Sequence, residues 1–355
     1  MTDIDTLKVL KALEIIGENV DLRERFIDFC RDVDTQVVLD DIIIREDVTG
    51  PLIDAAMKDR IFQKVLCEGT TFEMQYVSKI SRDFILSPER VPDHLWEPQT
   101  TKLLLHIAAG SKQVIIGGAY VGDQAVLIAK KIAPNNGFCH VFEPSERSFH
   151  FLKRNAELNG LNNILFNNCG LWASSTFIKL VGDDSHAYPE ETSNEDEGIK
   201  AVSINEYCKN NSISNIDLIM LDMEGGEFPA LRGADQYLDQ DKAPYLIFEI
   251  HRHYTDWSDG LDATDVVKFI KSFGYQIFAL RDFQSNFPMK DKPIELIPIS
   301  TTYLEGPPHG FNLFAFKDSK IIEDPLFKIV EGVSPKLLLH KDPKLHHHSD
   351  GFTKY

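Results

Sequence analysis

The chain has 355 residues, of which 43% are hydrophobic and 26% are charged, enough for one large domain and a smaller one. Its formal charge of −18 argues against nucleic acid and anionic lipid as partners. No apolar run approaches the roughly 20 residues of a membrane helix, and the first residues do not resemble a signal peptide. The five cysteines are scattered and form no CxxC pair. We therefore expect a cytoplasmic protein with no membrane partner.

The first 95 residues are predicted to form a mixed, mainly helical extension. One amphipathic helix is indicated by apolar residues at helical spacing, namely Leu7, Leu10, Leu13 and Ile16. We predict a β-rich stretch over 37–44 and a further helix over 52–66. The proline-bearing segment 87–92 is typical of a linker. No motif in this part indicates a function.

From residue 96 onward, strand-like and helix-like segments alternate, which indicates an α/β fold with a doubly wound parallel sheet. Seven strands are predicted, over 113–117, 138–142, 163–168, 217–221, 245–250, 275–280 and 311–316. The acidic segment 182–198 has few apolar residues, and we expect a mobile loop there. The chain thus divides into an extension over 1–95, a main domain over 96–320 and a tail over 321–355. The tail holds His346–His348, for which we expect only adventitious metal binding.

A glycine-rich turn follows the first predicted strand of the main domain. Its glycines, Gly118 and Gly122, permit a tight turn and a close ligand, and the helix that follows offers free N–H groups. Glu143 comes 21 residues after Gly122, where a nucleotide-binding βαβ unit places the acid that binds ribose hydroxyls. Ala119 occupies the middle glycine position of dinucleotide-binding turns, which disfavours NAD without excluding it. The turn therefore predicts a nucleoside-bearing cofactor.

Acidic and imidazole side chains follow the fourth and fifth predicted strands. Asp222 and Glu224 come after the fourth strand, and Glu249 and His251 end the fifth. Because ligands bind beyond the carboxyl ends of such strands, these groups are expected to meet at the cofactor cleft. Glu249 and His251 share one strand face, which favours general-base chemistry. The alternatives are that Asp222 caps the next helix, that Glu224 interacts with its dipole, and that His251 is structural.

Five motifs in the same order resemble the FkbM-type family of S-adenosylmethionine-dependent methyltransferases. The matching positions are Gly118-Ala119, Gly122-Asp123, Phe142-Glu143-Pro144, Leu152, Asn155, Asn159, Asp222, Glu224-Gly225, Glu227, Leu231, Gly233 and Glu249-Ile250-His251. The resemblance extends over 97–316. It departs from the family pattern at Ile116, where the family has an acid, and at Met220, where it has a lysine.

The resemblance implies a Rossmann-like, seven-stranded class I methyltransferase sheet that binds S-adenosylmethionine. It implies methyl transfer to a hydroxyl of a small molecule, a sugar or glycan, or a secondary metabolite. His251 is the expected base, together with Asp222 and Glu249. The residues implied to bind the cofactor are Glu97, Gly117, Gly118, Ala119, Tyr120, Gly122, Asp123, Glu143, Ser145, Cys169, Gly170 and Asp222. The family pattern does not demand a metal, and we expect none.

Two other functional classes stay open at this point. A non-catalytic binding protein that kept the cofactor fold is suggested by the departures at Ile116 and Met220. An NAD-dependent oxidoreductase is disfavoured by Ala119. The sequence does not identify the methyl acceptor or the oligomeric state, and the extension is a candidate contact between copies.

Overall fold

The computed structural model describes residues 3–37, 39, 42–182, 188–192, 198–304 and 310–337. The helices in these ranges are α1 (Asp3–Glu18), α2 (Val20–Gln36), α3 (Gly50–Met57), α4 (Lys79–Ile85), α5 (Pro98–Ala108), α6 (Ala125–Ile132), α7 (Glu146–Leu158), α8 (Ile204–Asn210), α9 (Glu227–Arg232), α10 (Asp235–Leu238) and α11 (Asp265–Ser272). Among them, no helix has the length and apolar character needed to cross a bilayer.

The strands within the same ranges belong to a large central sheet and three small ones. They are β1 (Ile61–Val65), β2 (Thr71–Gln75), β3 (Gln113–Gly117), β4 (Phe138–Phe142), β5 (Ile164–Asn167), β6 (Gly170–Leu171), β7 (Thr176–Val181), β8 (Tyr188–Thr192), β9 (Ile199–Val202), β10 (Leu218–Leu221), β11 (Tyr245–His251), β12 (Gln276–Leu280), β13 (Asp282–Phe283), β14 (Ile294–Pro298), β15 (Gly310–Phe316), β16 (Phe327–Ile329) and β17 (Lys336–Leu337). All seven predicted strands are present, with bounds within one residue.

The central sheet has the order β16-β14-β12-β15-β11-β10-β3-β4-β5 within the described chain. The strands from β11 to β5 are parallel, whereas β15 is antiparallel to both of its neighbours, β11 and β12. The predicted α/β fold is confirmed, and the sheet is mostly parallel, with β15 as an antiparallel strand between β11 and β12. No α-helix is described between β12 and β15, and a strand that reverses direction needs no crossover helix. The seven expected strands are extended at one edge by β14 and β16.

The middle strands are continuous apolar runs because helices cover both faces of the sheet. Ile115 and Ile219 pack into the core on one face, while Val114 and Ile116 pack into the core on the other. All four are buried. This two-sided burial fixes the register of β3 against β10 and brings their carboxyl ends to the same edge.

The N-terminal region packs against α6 and α7 through a third apolar core, which includes Phe72 and Phe84 of the N-terminal region and Phe151 of α7. The predicted β-rich stretch over 37–44 is wrong in its described part, since Ile44 begins a π-helical turn that runs to Thr49. The reason is Arg45, whose buried guanidinium donates hydrogen bonds to the carboxylates of Asp34 and Asp83. Residues 38, 40 and 41 lie outside the described chain.

The predicted helix over 52–66 is also wrong in its second half. The helix α3 ends at Met57, and β1 begins at Ile61. Asp59 between them has a φ of 59°, a left-handed conformation that no α-helix continues through. A polar turn, Lys58-Asp59-Arg60, therefore separates α3 from β1, although the spacing of apolar residues predicts a single helix over both.

Two segments in which no strand was predicted contribute strands. Residues 188–192 of the expected acidic loop form β8, which pairs with β7 and so satisfies its backbone groups. In the expected tail, β16 joins the central sheet and β17 pairs with β13. Residues 183–187, 193–197 and 338–355 lie outside the described chain, and the last of these ranges contains His346–His348.

Candidate active site

A cavity of about 640 Å³ opens where β3, β4, β10 and β11 end. This is the edge at which open α/β sheets bind ligands, and the volume suits a cofactor with an acceptor beside it. Most of the predicted site residues line it, namely Glu97, Gly118, Ala119, Tyr120, Asp123, Glu143, Ser145, Gly170, Asp222, Glu249 and His251. The sequence motifs therefore converge on one cavity.

Gly117, Gly122 and Cys169 are not among the lining residues. A Cβ on Gly122 would lie 2.8 Å from Leu152 of α7, so this glycine lets the turn close on the helix. Gly117 is equally enclosed, because a Cβ there would lie 2.7 Å from the sulfur of Met223. Cys169 is half-buried against the core on one face of the sheet. The positions of all three indicate packing.

Gly118 brings the turn after β3 directly against the chain after β10. Its φ is 74°, and a Cβ there would lie 1.7 Å from the carbonyl oxygen of Asp222. The two segments are also joined by a hydrogen bond from the Asp222 N–H to the carbonyl of Gly117, at 3.0 Å. Only glycine fits this contact, which fixes Asp222 beside the turn.

Glu143 is buried directly after β4. Its carboxylate accepts hydrogen bonds from the turn after β3 and from the residues that follow Glu143 itself. Its Oε2 accepts the N–H of Tyr120 at 2.8 Å, and its Oε1 accepts the N–H of Ser145 at 2.8 Å. A carboxylate oxygen can accept two hydrogen bonds. Glu143 therefore braces the turn in a geometry that is compatible with binding a pair of ribose hydroxyls.

Several carboxyl groups crowd the cavity, and burial raises their pKa values. Burial raises the pKa of Asp222 to about 6. Burial and then the charge of Asp222 raise the pKa of Asp123 to about 7, and burial with Asp222 and Glu227 raises that of Glu224 to about 8. Near neutral pH some of these carboxyl groups therefore remain protonated, and a cation bound in the cavity would favour the release of their protons.

Glu97 and Glu249 have the most strongly perturbed carboxyl groups of the cavity. Burial, followed by the charge of Asp222, raises the pKa of each well above its ordinary value. Oε2 of Glu249 is buried without a hydrogen-bond partner among the described residues. An unpartnered polar atom that faces a cavity is a place where a ligand donor fits.

Glu249 and His251 lie side by side over β15. Gly310 is the strand partner of His251, and a Cβ on it would lie 2.1 Å from Oε1 of Glu249 and 2.5 Å from Cδ2 of His251. The imidazole Nδ1 accepts the N–H of His253 at 3.1 Å. The expectation that both side chains share one face holds, and the hydrogen bond places the proton of a neutral imidazole on Nε2.

Sequence reasoning missed several lining residues, among them Lys79, Trp96, Tyr188 and Lys336. Lys79 lies at the start of α4, Tyr188 in the acidic segment and Lys336 on β17. None belongs to a recognisable motif, and their approach to the cavity depends on tertiary folding of segments far apart in the chain. The ring centroids of Tyr188 and Tyr254 lie 5.6 Å apart, and both residues line the cavity.

Residues 117–277 match the family model described as the methyltransferase FkbM domain. The resemblance to the FkbM methyltransferases is confirmed. The match supports a methyltransferase that uses S-adenosylmethionine as its cofactor. A comparison with curated proteins found no match.

Solved methyltransferase structures align with the chain at low identity. Methyltransferase FkbM from Methylobacillus flagellatus KT is 17% identical, with 58% of this chain and 44% of that chain covered and a TM-score of 0.36. An O-methyltransferase from Bacillus cereus, solved in complex with SAH, is 15% identical, with coverage of 64% and 84% and a TM-score of 0.36. A putative O-methyltransferase from Klebsiella pneumoniae is 14% identical, with coverage of 62% and 79% and a TM-score of 0.34. The aligned region spans less than half of the M. flagellatus chain.

The two departures from the FkbM pattern are neighbours in the structure. Ile116 on β3 is the strand partner of Met220 on β10, and both side chains are buried in the same core. An acid and a lysine at these positions would face each other as a buried ion pair. Replacing both partners of such a pair by apolar residues of fitting volume is often neutral or stabilising. The joint replacement is therefore consistent with a maintained active site.

Proposed function

We propose that the protein is an S-adenosylmethionine-dependent O-methyltransferase that acts on a hydroxyl of a small molecule, a sugar or glycan, or a secondary metabolite. The observation that carries this proposal is the convergence of Glu143, the Gly118 turn and the group Asp222, Glu249 and His251 on one cavity. The bound cofactor supplies a methyl group on a sulfonium for in-line transfer to the acceptor oxygen. The protein holds the cofactor and the acceptor in line, and accepts the proton of the hydroxyl.

The residues present fit this cofactor. Glu143 is placed to bind the ribose diol, and the glycine at position 118 lets a ligand approach the backbone. Gly170 and Ser145 line the cavity on the side of β4, where the adenine is proposed to lie. The crowded carboxyl groups around Asp222 suit a ligand with a sulfonium and an ammonium group, because a cation nearby favours their ionised forms.

The proton of the acceptor is proposed to pass to the carboxylate of Asp222, whose charge also acts on the nearby carboxyl group of Glu249. Asp222, with a pKa of about 6, is ionised at neutral pH, and Glu249 has an oxygen without a described partner. The hydrogen bond from His253 to Nδ1 gives the neutral imidazole of His251 a proton on Nε2. His251 is then proposed to hold the acceptor oxygen by donating a hydrogen bond, a role different from the base expected from the sequence.

Two measurements test the proposal. Thermal melting with S-adenosylmethionine, S-adenosylhomocysteine and NAD is expected to show stabilisation by the first two compounds only. Transfer of isotopically labelled methyl groups to a panel of hydroxylated acceptors is then expected to give a methyl ether, and Asp222→Asn is the matched inactive control. Stabilisation by NAD alone would favour the oxidoreductase. Binding of S-adenosylhomocysteine without transfer to any acceptor would favour the non-catalytic protein.

A further inference from the structure

Lys336 reaches the cavity from a segment that follows the FkbM match. It lies on β17, where it is the strand partner of Asp282 on β13. The flanking chain is held by a hydrogen bond from the Asp282 N–H to the carbonyl of Pro335, at 2.9 Å, and by the buried side chain of Leu337. The position of Lys336 at the cavity wall is therefore fixed by backbone pairing.

The same Asp282 also fixes Glu97. The carboxylate of Asp282 accepts the N–H groups of Gln99 and Thr100, at 2.9 Å and 2.7 Å, and so caps the start of α5. Glu97 directly precedes this turn with a φ of 46°, and its Oε2 accepts a hydrogen bond from Nδ2 of Asn312 at 2.8 Å. Asp282 is thus linked through its backbone to the strand of Lys336 and through its carboxylate to the start of α5, next to Glu97.

Glu97 and Lys336 line the same cavity without forming an ion pair. The ammonium of Lys336 makes no hydrogen bond or ion pair with any residue in the described part of the chain. Burial and then the charge of Lys79 lower the pKa of Lys336 to about 8, and Glu97 and Glu249 oppose this shift. A lysine and a glutamic acid that line one cavity without pairing match a ligand that carries a carboxylate and an ammonium on one carbon, because these charges favour the ionised forms of both side chains.

We propose that Lys336 and Glu97 bind the two charged groups of the cofactor's amino acid portion, Lys336 the α-carboxylate and Glu97 the α-ammonium. This assignment rests on the proposed function and deepens it. It makes the cofactor site depend on a lysine that lies outside residues 117–277 of the family match. The C-terminal strand β17 is then part of the site and not a tail.

Calorimetric titration with two ligands tests the assignment. S-adenosylhomocysteine contains the amino acid portion, whereas 5′-methylthioadenosine keeps the adenosine and the thioether and lacks that portion. Lys336→Met is expected to weaken S-adenosylhomocysteine by about 10- to 100-fold, the effect of losing a charge-assisted hydrogen bond, and to leave 5′-methylthioadenosine within about twofold. Lys336→Arg is expected to retain most of the affinity for S-adenosylhomocysteine. Lys320→Met removes an exposed lysine that does not line the cavity and is the matched control.

The outcomes separate this assignment from the proposed function. Glu143→Gln is expected to weaken both ligands, because both contain the ribose. If it does so while Lys336→Met leaves S-adenosylhomocysteine unchanged or weakens both ligands equally, the assignment of Lys336 is wrong and the cofactor site stands. If the unmodified protein binds neither ligand, the proposed function and the assignment both fail. Circular dichroism of each variant establishes that affinities are compared between folded proteins.

Discussion

Asn155 pairs with the backbone of Glu73 as a neighbouring strand would. Its Oδ1 accepts the N–H of Glu73 at 2.7 Å, and its Nδ2 donates to the carbonyl of Glu73 at 3.0 Å and to that of Val121 at 2.8 Å. Asn159, one helical turn later, binds Thr71 in the same two-sided way. Both asparagines belong to the FkbM-like motif. Their side chains therefore connect the hairpin of β1 and β2 to α7, and Asn155 also connects it to the turn after β3.

Replacing Asn155 by leucine is expected to destabilise the protein strongly. The substitution leaves a backbone N–H and two carbonyl groups without their partner, and the expected loss in free energy of unfolding is about 2–4 kcal/mol. Urea denaturation gives this value directly. Asn135→Leu is the control, since the Asn135 side chain donates one exposed hydrogen bond to Ala109. A loss no larger than that of the control would show that the hairpin is held by apolar packing alone.

Gly118→Ala is expected to destabilise the turn and to prevent cofactor binding. The new Cβ would lie 1.7 Å from a backbone oxygen, in a residue with a φ of 74°. Gly160→Ala provides a matched comparison, because Gly160 has a φ of 64° and no atom within 4 Å of a Cβ. Gly160→Ala should cost about 1 kcal/mol for the backbone conformation, and Gly118→Ala at least twice as much. Equal losses in denaturation experiments would contradict the close contact between Gly118 and Asp222.

Asp222→Asn is expected to lower turnover by a factor of about 10² to 10⁴ once an acceptor is known, because the amide cannot accept the proton. His251→Ala is expected to raise KM for the acceptor and to lower kcat less, since the imidazole is proposed to hold the acceptor. Affinity for S-adenosylhomocysteine should change little in His251→Ala. If His251→Ala lowers turnover as much as Asp222→Asn does, His251 is the base, as the sequence predicts.

In the protein without added ligand, the buried carboxyl groups of the cavity should make the free energy of unfolding fall as the pH rises. The pKa of Glu224 is raised from 4.5 to about 8 in the folded protein. The unfolded chain then releases its proton at lower pH than the folded chain, so this stabilising contribution is complete below about pH 4.5 and is lost as the pH passes about 8. Glu224→Gln is expected to flatten the decline in free energy of unfolding between these limits. If urea denaturation shows that the free energy of unfolding falls equally with pH in both proteins, the pKa of Glu224 is not raised.

The main sheet and much of the cavity were predictable from the sequence, because they depend on local patterns. Buried strands such as β3 and β10 appear as unbroken apolar runs, and Glu143, Asp222 and Glu249 directly follow strand ends. The carboxyl ends of parallel strands meet at one edge, so the sequence order was sufficient to bring these three residues together.

The errors arose where a distant partner decides the structure. The segment before Ile44 is apolar enough for a strand, but the buried pairing of Arg45 with Asp34 and Asp83 draws the following residues into a helical turn. Lys336 reaches the cavity only because β17 pairs with β13, more than fifty positions earlier in the chain. Two-residue strands have no periodicity that a sequence pattern can reveal.

The antiparallel strand β15 has a consequence for biosynthesis. It comprises Gly310–Phe316 but lies between β11 and β12, which are both made earlier. Until it emerges from the ribosome, β11 and β12 present unpaired edges in what becomes the interior of the sheet, and such edges favour aggregation. We expect stalled chains that end before residue 310 to be protease-sensitive and to bind chaperones, and chains that include residue 316 to become resistant. The strand that fills the gap between β11 and β12 is thus synthesised after both of them.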